Sequence, residues 1–498
     1  MSYAQLFKLL IPELIVLLAG LLLLALDLGV LRNKILVARV RIASFIACLG
    51  LVAAFLWIIG AQTSGRIAVW DGMFVLDQLT SLGKQIVLIV SAIVVIVSVG
   101  SRFTSHVGEY FLLLLLATIG MMFLVASENI LVIFVSLELL SLSLYIMTAF
   151  NKQSLQSAEA ALKYFLFGGM SAAFMLFGLS LLFGGSGELN LVSIASKLKG
   201  APIDPLVVVA IVMVVVGFGF KIAAVPFHLW APDAYQAAPL PAATFIASAS
   251  KVASFFILTK VLLVGFAGAE GSAGGGHWVQ GWMPLIATIA AASMILGNLA
   301  AIAQRSVRRL LAYSAIAQAG YILVGVLAND QNAVSSMLYY VTTYGLTVIG
   351  AFAVLSVLGD SPGQDRLGGL AGFAKREPLL SLCMLIFLLS LAGIPPLAGF
   401  FGKFYLFAAA LNGSGGNLGL LWLVALALAM STVSLYYYLQ VLKQIYVVPG
   451  KEQPGYIRST LFLRLLTVFL ATAVLVLGMV PGIFLGKARP AAAALVRP

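Results

Sequence analysis

Fourteen stretches of mostly apolar residues follow one another along this 498-residue chain, joined by short loops. They lie near 9–30, 41–60, 79–100, 109–127, 129–150, 159–184, 204–225, 240–266, 279–302, 308–328, 333–358, 378–411, 418–447 and 460–484. A helix of about 20 apolar residues crosses the hydrocarbon core of a bilayer. The pattern therefore predicts an all-α polytopic membrane protein with 14 transmembrane helices, forming a single transmembrane domain over 1–498. Only 9% of the residues are charged while 62% are hydrophobic. A soluble protein carries about 25% charge, so a soluble enzyme and a disordered chain are both excluded. The two cysteines, Cys48 and Cys383, lie inside apolar runs, which excludes a disulfide scaffold.

The net charge is +12, and the basic residues are unevenly placed. Numbering the loops alternately puts Arg32, Lys34, Arg39, Arg41, Arg102, Lys152, Arg305, Arg308 and Arg309 on one side. Arg366, Lys375, Arg376, Lys443, Lys451 and Arg458 join them. Basic excess marks the cytoplasmic face, so both termini are expected outside. There is no basic stripe interleaved with exposed aromatics, and no nucleic-acid partner is expected. No cleavable signal is expected at the N-terminus, because the first apolar run has the length of a span. His106, His228 and His277 are scattered over three loops, so no bound metal is expected. No nucleotide-binding loop, paired-cysteine site or haem motif is present, so any redox chemistry is expected on another polypeptide.

Ionisable residues inside spans are the informative ones, since a charge at the bilayer centre costs at least about 2.5–3.5 kcal/mol. Span 5 carries Glu138 near its middle. Ser141, Tyr145 and Thr148 follow at spacings of 3, 4 and 3, which sets them on one helical face. In span 6, Lys163 shares a face with Glu159 about a turn inside the cytoplasmic edge, where it either snorkels or serves the path. In span 8, Lys251 is central, on a face with Thr244, Ser248 and Thr259. Lys260, near the outer edge, is expected to snorkel. Span 10 has a stripe of Ser314, Gln318 and Tyr321, and span 11 one of Tyr340, Thr343 and Thr347.

Two spans look broken. In span 7, Lys221 stands five residues before Pro226; in span 12, Pro395 and Pro396 are followed by Lys403. Proline removes a backbone donor and interrupts the helix, which a membrane tolerates only where the break is buried in protein or lines a cavity. His228 beyond the first break either relays protons or hydrogen-bonds a loop. Spans 7 and 12 are an odd number apart and cross in opposite directions, as two inverted five-helix repeats would produce. The expected organisation is peripheral spans 1–3 (9–108), a first repeat of spans 4–8 (109–266), an inverted second repeat of spans 9–13 (279–447) and a final span (460–484). One carboxylate and several lysines along the spans suit protons better than a bulky substrate.

The run from Phe220 to Lys251, FKIAAVPFHLWAPDAYQAAPLPAATFIASASK, resembles the span 7–8 signature of the antiporter-like subunits of proton-pumping NADH:quinone oxidoreductase, respiratory complex I. The form around His228, Trp230, Pro232, Asp233 and Tyr235 is most similar to the subunit N family; subunits L and M carry a His-Thr-Trp-Leu-Pro-Asp form. The resemblance covers nearly the whole chain. It implies that Glu138, Lys163, Lys221, Lys251 and Lys403 carry translocated protons; the break and the polar stripes offer His228, Gln318 and Tyr321 as candidate relay groups, and the place of Lys403 beyond the second break makes it the expected outward terminal. Lys403 speaks against subunit M, which has glutamate there. These families often have histidine where this chain has Gln318, which cannot titrate, so that step would need water. The resemblance further implies other membrane-arm subunits as partners and a bacterial cytoplasmic-membrane location. It implies no cofactor on this chain, with FMN, iron–sulfur clusters, NADH and quinone used elsewhere in the complex. A subunit of a multi-protein sodium/proton antiporter, or of another donor-linked pump, is the alternative.

Overall fold

A computed structural model describes residues 7–61, 65–100, 103–199, 204–358, 365–412, 419–450, 460–493 and 495. Arg102, Lys451 and Arg458, used above to set the topology, lie outside the described residues. The helices are α1 Ile11–Leu28, α2 Leu36–Gly60, α3 Gln78–Ser98, α4 Val107–Ala126, α5 Ile130–Thr148, α6 Leu155–Ser186, the short α7 Leu191–Leu198 and α8 Pro205–Ile222. They continue as α9 Trp230–Ala237, α10 Leu240–Ala247, α11 Ala249–Lys260, α12 Trp282–Ile302, α13 Val307–Leu327 and α14 Gln331–Ser356. The last are α15 Pro378–Ala392, α16 Ala398–Asn412, α17 Leu421–Tyr446, α18 Leu461–Met479 and α19 Gly482–Ala492. Among the described residues, 13 helical segments are long and apolar enough to cross a membrane. Span 12 adds the fourteenth as two helices, α15 and α16, of 15 residues each.

The chain divides into two compact units: residues 1–218, 237–268 and 493–498 form unit 1, and 219–236 with 269–492 form unit 2. In unit 1, α1 packs on α2 and α4, and α4 packs on α5. Asp77 starts α3 through a capping box in which its side chain accepts from Thr80 N at 2.7 Å. A short antiparallel hairpin, β1 Ile67–Val69 with β2 Phe74–Leu76, precedes it. In unit 2, α13 and α14 are the core, with their apolar windows 94% and 100% buried. Gly297 on α12 lets α13 pack closely: an added Cβ would lie 2.6 Å from Ala317 N. A second hairpin, β3 Ser272–Gly274 with β4 His277–Val279, joins span 8 to α12.

The helices break where proline predicts. Between α8 and α10 the chain turns at Pro226, and between α15 and α16 it turns at Pro396. Span 8 holds a third break that no proline announces. Ser248 (φ −118°, ψ −82°) separates α10 from α11, three residues before Lys251, and a π-turn over Val261–Gly265 ends the span.

Candidate functional site

The two proline breaks end their helices alike. Ala223 (φ +57°) and Gly393 (φ +90°) take the left-handed conformation that closes a helix. Ala224 N donates to Gly219 O at 2.8 Å and Ile394 N to Leu389 O at 3.0 Å, the six-to-one bond of a Schellman ending. Three residues after each left-handed position stands a cis proline, Pro226 and Pro396. Each break is pinned by a serine: Val225 N donates to Ser293 Oγ at 2.9 Å, and Gly399 N to Ser390 Oγ at 3.1 Å.

α15 ends at its break as a half-helix of span 12, and α8, itself long enough to count as a span, ends at Ile222; at both C-termini carbonyls point outward and the helix dipole favours a cation. Lys221 occupies the last turn of α8 and is buried. Lys403 comes from the second half-helix, α16, and reaches back. Its Nζ donates to Leu391 O at 3.0 Å, Ala392 O at 3.2 Å and Ser431 Oγ at 2.9 Å, and stands 4.7 Å over the Tyr321 ring. The ammonium thus sits at the end of α15, at the break itself.

Around Lys403 lies a chain of neutral groups, all buried. Gln318 Nε2 donates to the same Leu391 carbonyl at 3.0 Å, and Gln318 Oε1 accepts from Tyr340 OH. Gln318 Nε2 also reaches Tyr438 OH at 3.4 Å, which bonds Ser314 Oγ. A parallel branch runs from Tyr437 OH to Asn298 Oδ1 at 3.0 Å, and from Asn298 Nδ2 to Tyr321 OH at 3.0 Å. Gln318 is thus a neutral bridge between the Leu391 carbonyl that holds Lys403 and the tyrosines. The chain leads along α13 toward Ser314, near the helix end that carries Arg308 and Arg309.

The tryptophan–aspartate motif holds the first break. Trp230 Nε1 donates to Phe220 O at 3.0 Å, beside Lys221. Asp233 pairs with Arg309, whose Nη1 also reaches Gln236 Oε1 at 3.3 Å. His228, two residues before Trp230, is buried, and Ala231 N donates to its carbonyl at 3.0 Å.

In unit 1, Lys251 is 1% exposed in the first turn of α11. Glu138 is half-buried on α5, on a face with Tyr145, whose ring meets Tyr164 edge-on at 4.6 Å. Lys163 pairs with Glu159 at 2.7 Å on the outward face of α6, with 42% of its side chain exposed. Most serines and threonines of the unit 1 stripes bond carbonyls one turn back: Thr148 to Leu144 O, Thr244 to Leu240 O, Ser248 to Thr244 O and Ser254 to Ser250 O, all at 2.6–2.8 Å. Their donors are engaged by their own helix, and their oxygens remain as acceptors.

Ser431, Tyr437, Tyr438 and Asn298 escaped the sequence reading. Ser431, Ser434 and Tyr438 are spaced 3 and 4 apart, the same periodicity that marked Glu138's stripe, so the signal was present. Lys260 differs from expectation outright. Instead of snorkelling it is 1% exposed and lies 3.5 Å from Glu128 Oε1, because an enclosed carboxylate offers it a partner.

Comparison with known proteins accords with this geometry. The transmembrane family of NADH:quinone oxidoreductases and Mrp antiporters matches residues 127–431. NADH-quinone oxidoreductase subunit N 2 of Acidobacterium capsulatum is 50% identical over 493 residues, covering 97% of this chain and 98% of that protein. Subunit N of Heliobacterium modesticaldum is 37% identical over 484 residues, covering 96% and 97%. A chain of respiratory complex I from Thermus thermophilus, solved with bound aureothin, superposes with a TM-score of 0.78 at 33% identity, covering 95% of this chain and 98% of that one. The chain belongs to the NADH:quinone oxidoreductase/Mrp antiporter membrane family, on its NADH-quinone oxidoreductase subunit N branch.

Proposed function

We propose that this chain is a non-redox, proton-translocating membrane-arm subunit of NADH:quinone oxidoreductase. The observation that carries the reading is the Lys403 site: a buried ammonium held at a half-helix end by two carbonyls and one serine, within a chain of neutral hydrogen-bonding groups. A lysine in such a place exchanges a proton without moving a bulky ligand, and lysine, unlike arginine, can release it. Glu138 and Lys163, then Lys221, then Lys251, then Lys403 carry the proton in that order, with Lys403 as the outward terminal. His228, Gln318 and Tyr321 serve as relay groups. The break at Pro395–Pro396 frees the Leu391 and Ala392 carbonyls that hold Lys403, and the break at Pro226 follows Lys221 by five residues.

The like endings of α8 and α15 support two inverted repeats, 109–266 and 279–447, beside peripheral spans 9–108 and a final span 460–484. Electron transfer takes place on other subunits, which hold FMN and iron–sulfur clusters and use NADH and quinone; this chain carries no redox site. Its location is the bacterial cytoplasmic membrane, with both termini on the periplasmic side. The 50% identity to a subunit N protein favours this reading over a sodium/proton antiporter subunit. The test is NADH-driven proton uptake by the complex in inverted vesicles in sodium-free medium. Uptake that persists without sodium and falls in Lys221→Met supports the reading; uptake that requires sodium, or that Lys221→Met leaves unchanged, overturns it.

A further inference from the structure

The outer end of unit 1 holds buried charges that the path above does not use. Lys260 ends α11 nine residues beyond Lys251, about 13 Å along the helix at 1.5 Å per residue. Glu128, in the loop between α4 and α5, is 4% exposed and faces two cations. Its Oε1 lies 3.5 Å from Lys260 Nζ, and its Oε2 is bonded by Arg66 Nη2. Asp77 is the remaining charge that acts on Lys260, and its carboxylate is engaged in capping α3. The backbone fixes this carboxylate in place: Glu128 N donates to Gly72 O at 2.8 Å, and Leu191 N donates to Glu128 O at 2.9 Å.

Two cations on one carboxylate are not equivalent. Arg66 makes the closer contact and does not lose its proton in a protein. Lys260 makes only the longer contact, without a hydrogen bond to its Nζ among the described residues. When Lys260 is neutral, Arg66 and Glu128 remain balanced; when it is charged, the cluster holds one extra proton in the field of Glu128 and Asp77. Arg66 is 25% exposed at its side chain, so the cluster adjoins the outer surface. Directly after Lys260 the helix changes to the π-turn Val261–Gly265, an irregularity frequent at functional sites.

We infer that Lys260, beside the Glu128–Arg66 pair, is a second outward proton-release group, taking protons from Lys251 alongside the exit at Lys403. In release, an N–H bond of the Lys260 ammonium breaks, the electron pair stays on nitrogen and the proton passes to water at the outer surface. The neutral amine then accepts the proton that Lys251 gives up. Ser254 and Thr259 lie between the two on α11, buried, each donating to its own helix and leaving acceptor oxygens for water on the way. This inference rests on Lys251 being a proton carrier.

The experiment uses the whole complex in liposomes, with protons taken up per NADH oxidised measured at matched complex content. Lys260→Arg keeps the charge and the contact with Glu128 but cannot release its proton; Lys260→Gln removes the charge and keeps polarity. Both are expected to lower the ratio below wild type, to no less than the level of Lys251→Met. A wild-type ratio in Lys260→Arg would show a clasp that needs charge alone, and a wild-type ratio in Lys260→Gln would show a dispensable lysine; either overturns the inference. Should Lys260→Arg fail to assemble, Lys260→Gln decides. If Lys251→Met itself pumps normally, the wider reading fails and not this step alone.

Discussion

Replacing Lys403 separates proton transfer from structural support. Lys403→Met deletes three hydrogen bonds and the contact with the Tyr321 ring. The Leu391 carbonyl keeps its bond from Gln318, and Ser431 Oγ remains 3.4 Å from Ala392 O. What is lost therefore amounts to little more than one poorly satisfied buried carbonyl, about 1–3 kcal/mol. Against this, the substitution removes a charge whose placement at mid-membrane costs at least about 2.5–3.5 kcal/mol. The two terms nearly cancel, so Lys403→Met is expected to fold and assemble. Lys403→Arg keeps the charge and the donors but not the capacity to release a proton. Both variants are expected to depress proton uptake into inverted vesicles per NADH oxidised, at matched complex content. Wild-type pumping in both would remove Lys403 from the path. Pumping restored by arginine alone would show that the site needs a fixed charge and carries no proton.

The supports of the breaks should matter in their own right. Ser293→Ala leaves the buried Val225 N–H without its partner, a cost of about 1–3 kcal/mol; thermal inactivation of NADH:quinone turnover should come at lower temperature, and an unchanged profile would refute the role. Gly399→Ala would place a Cβ 1.8 Å from Ser390 O, so α16 cannot start where it does; complex content on native gels should fall sharply.

Much of this architecture was legible in the sequence, for identifiable reasons. Long apolar runs report spans because the bilayer demands them, and Pro226 and Pro396 report breaks because proline lacks a donor. Ser248 gave no such notice, since serine is compatible with a helix and its backbone angles are set by packing. The ligands of Lys403 were hidden for a different reason. Two are backbone carbonyls, which leave no side-chain signature, and Ser431 lies 28 residues further along the chain. Lys260 was misread because sequence position gives depth but not enclosure; Glu128 and Arg66 are distant in sequence and meet only in the fold.

On the function proposed above, buried lysines of this chain carry the pumped protons. The most direct measurement is the number of protons translocated per NADH oxidised by the purified complex in liposomes, wild type against Lys251→Met. Lys251 is 1% exposed and lies one turn past the Ser248 break, so methionine fits its volume while removing the titrating group. Continued NADH oxidation with a lowered proton ratio is expected. An unchanged ratio at normal turnover would contradict it.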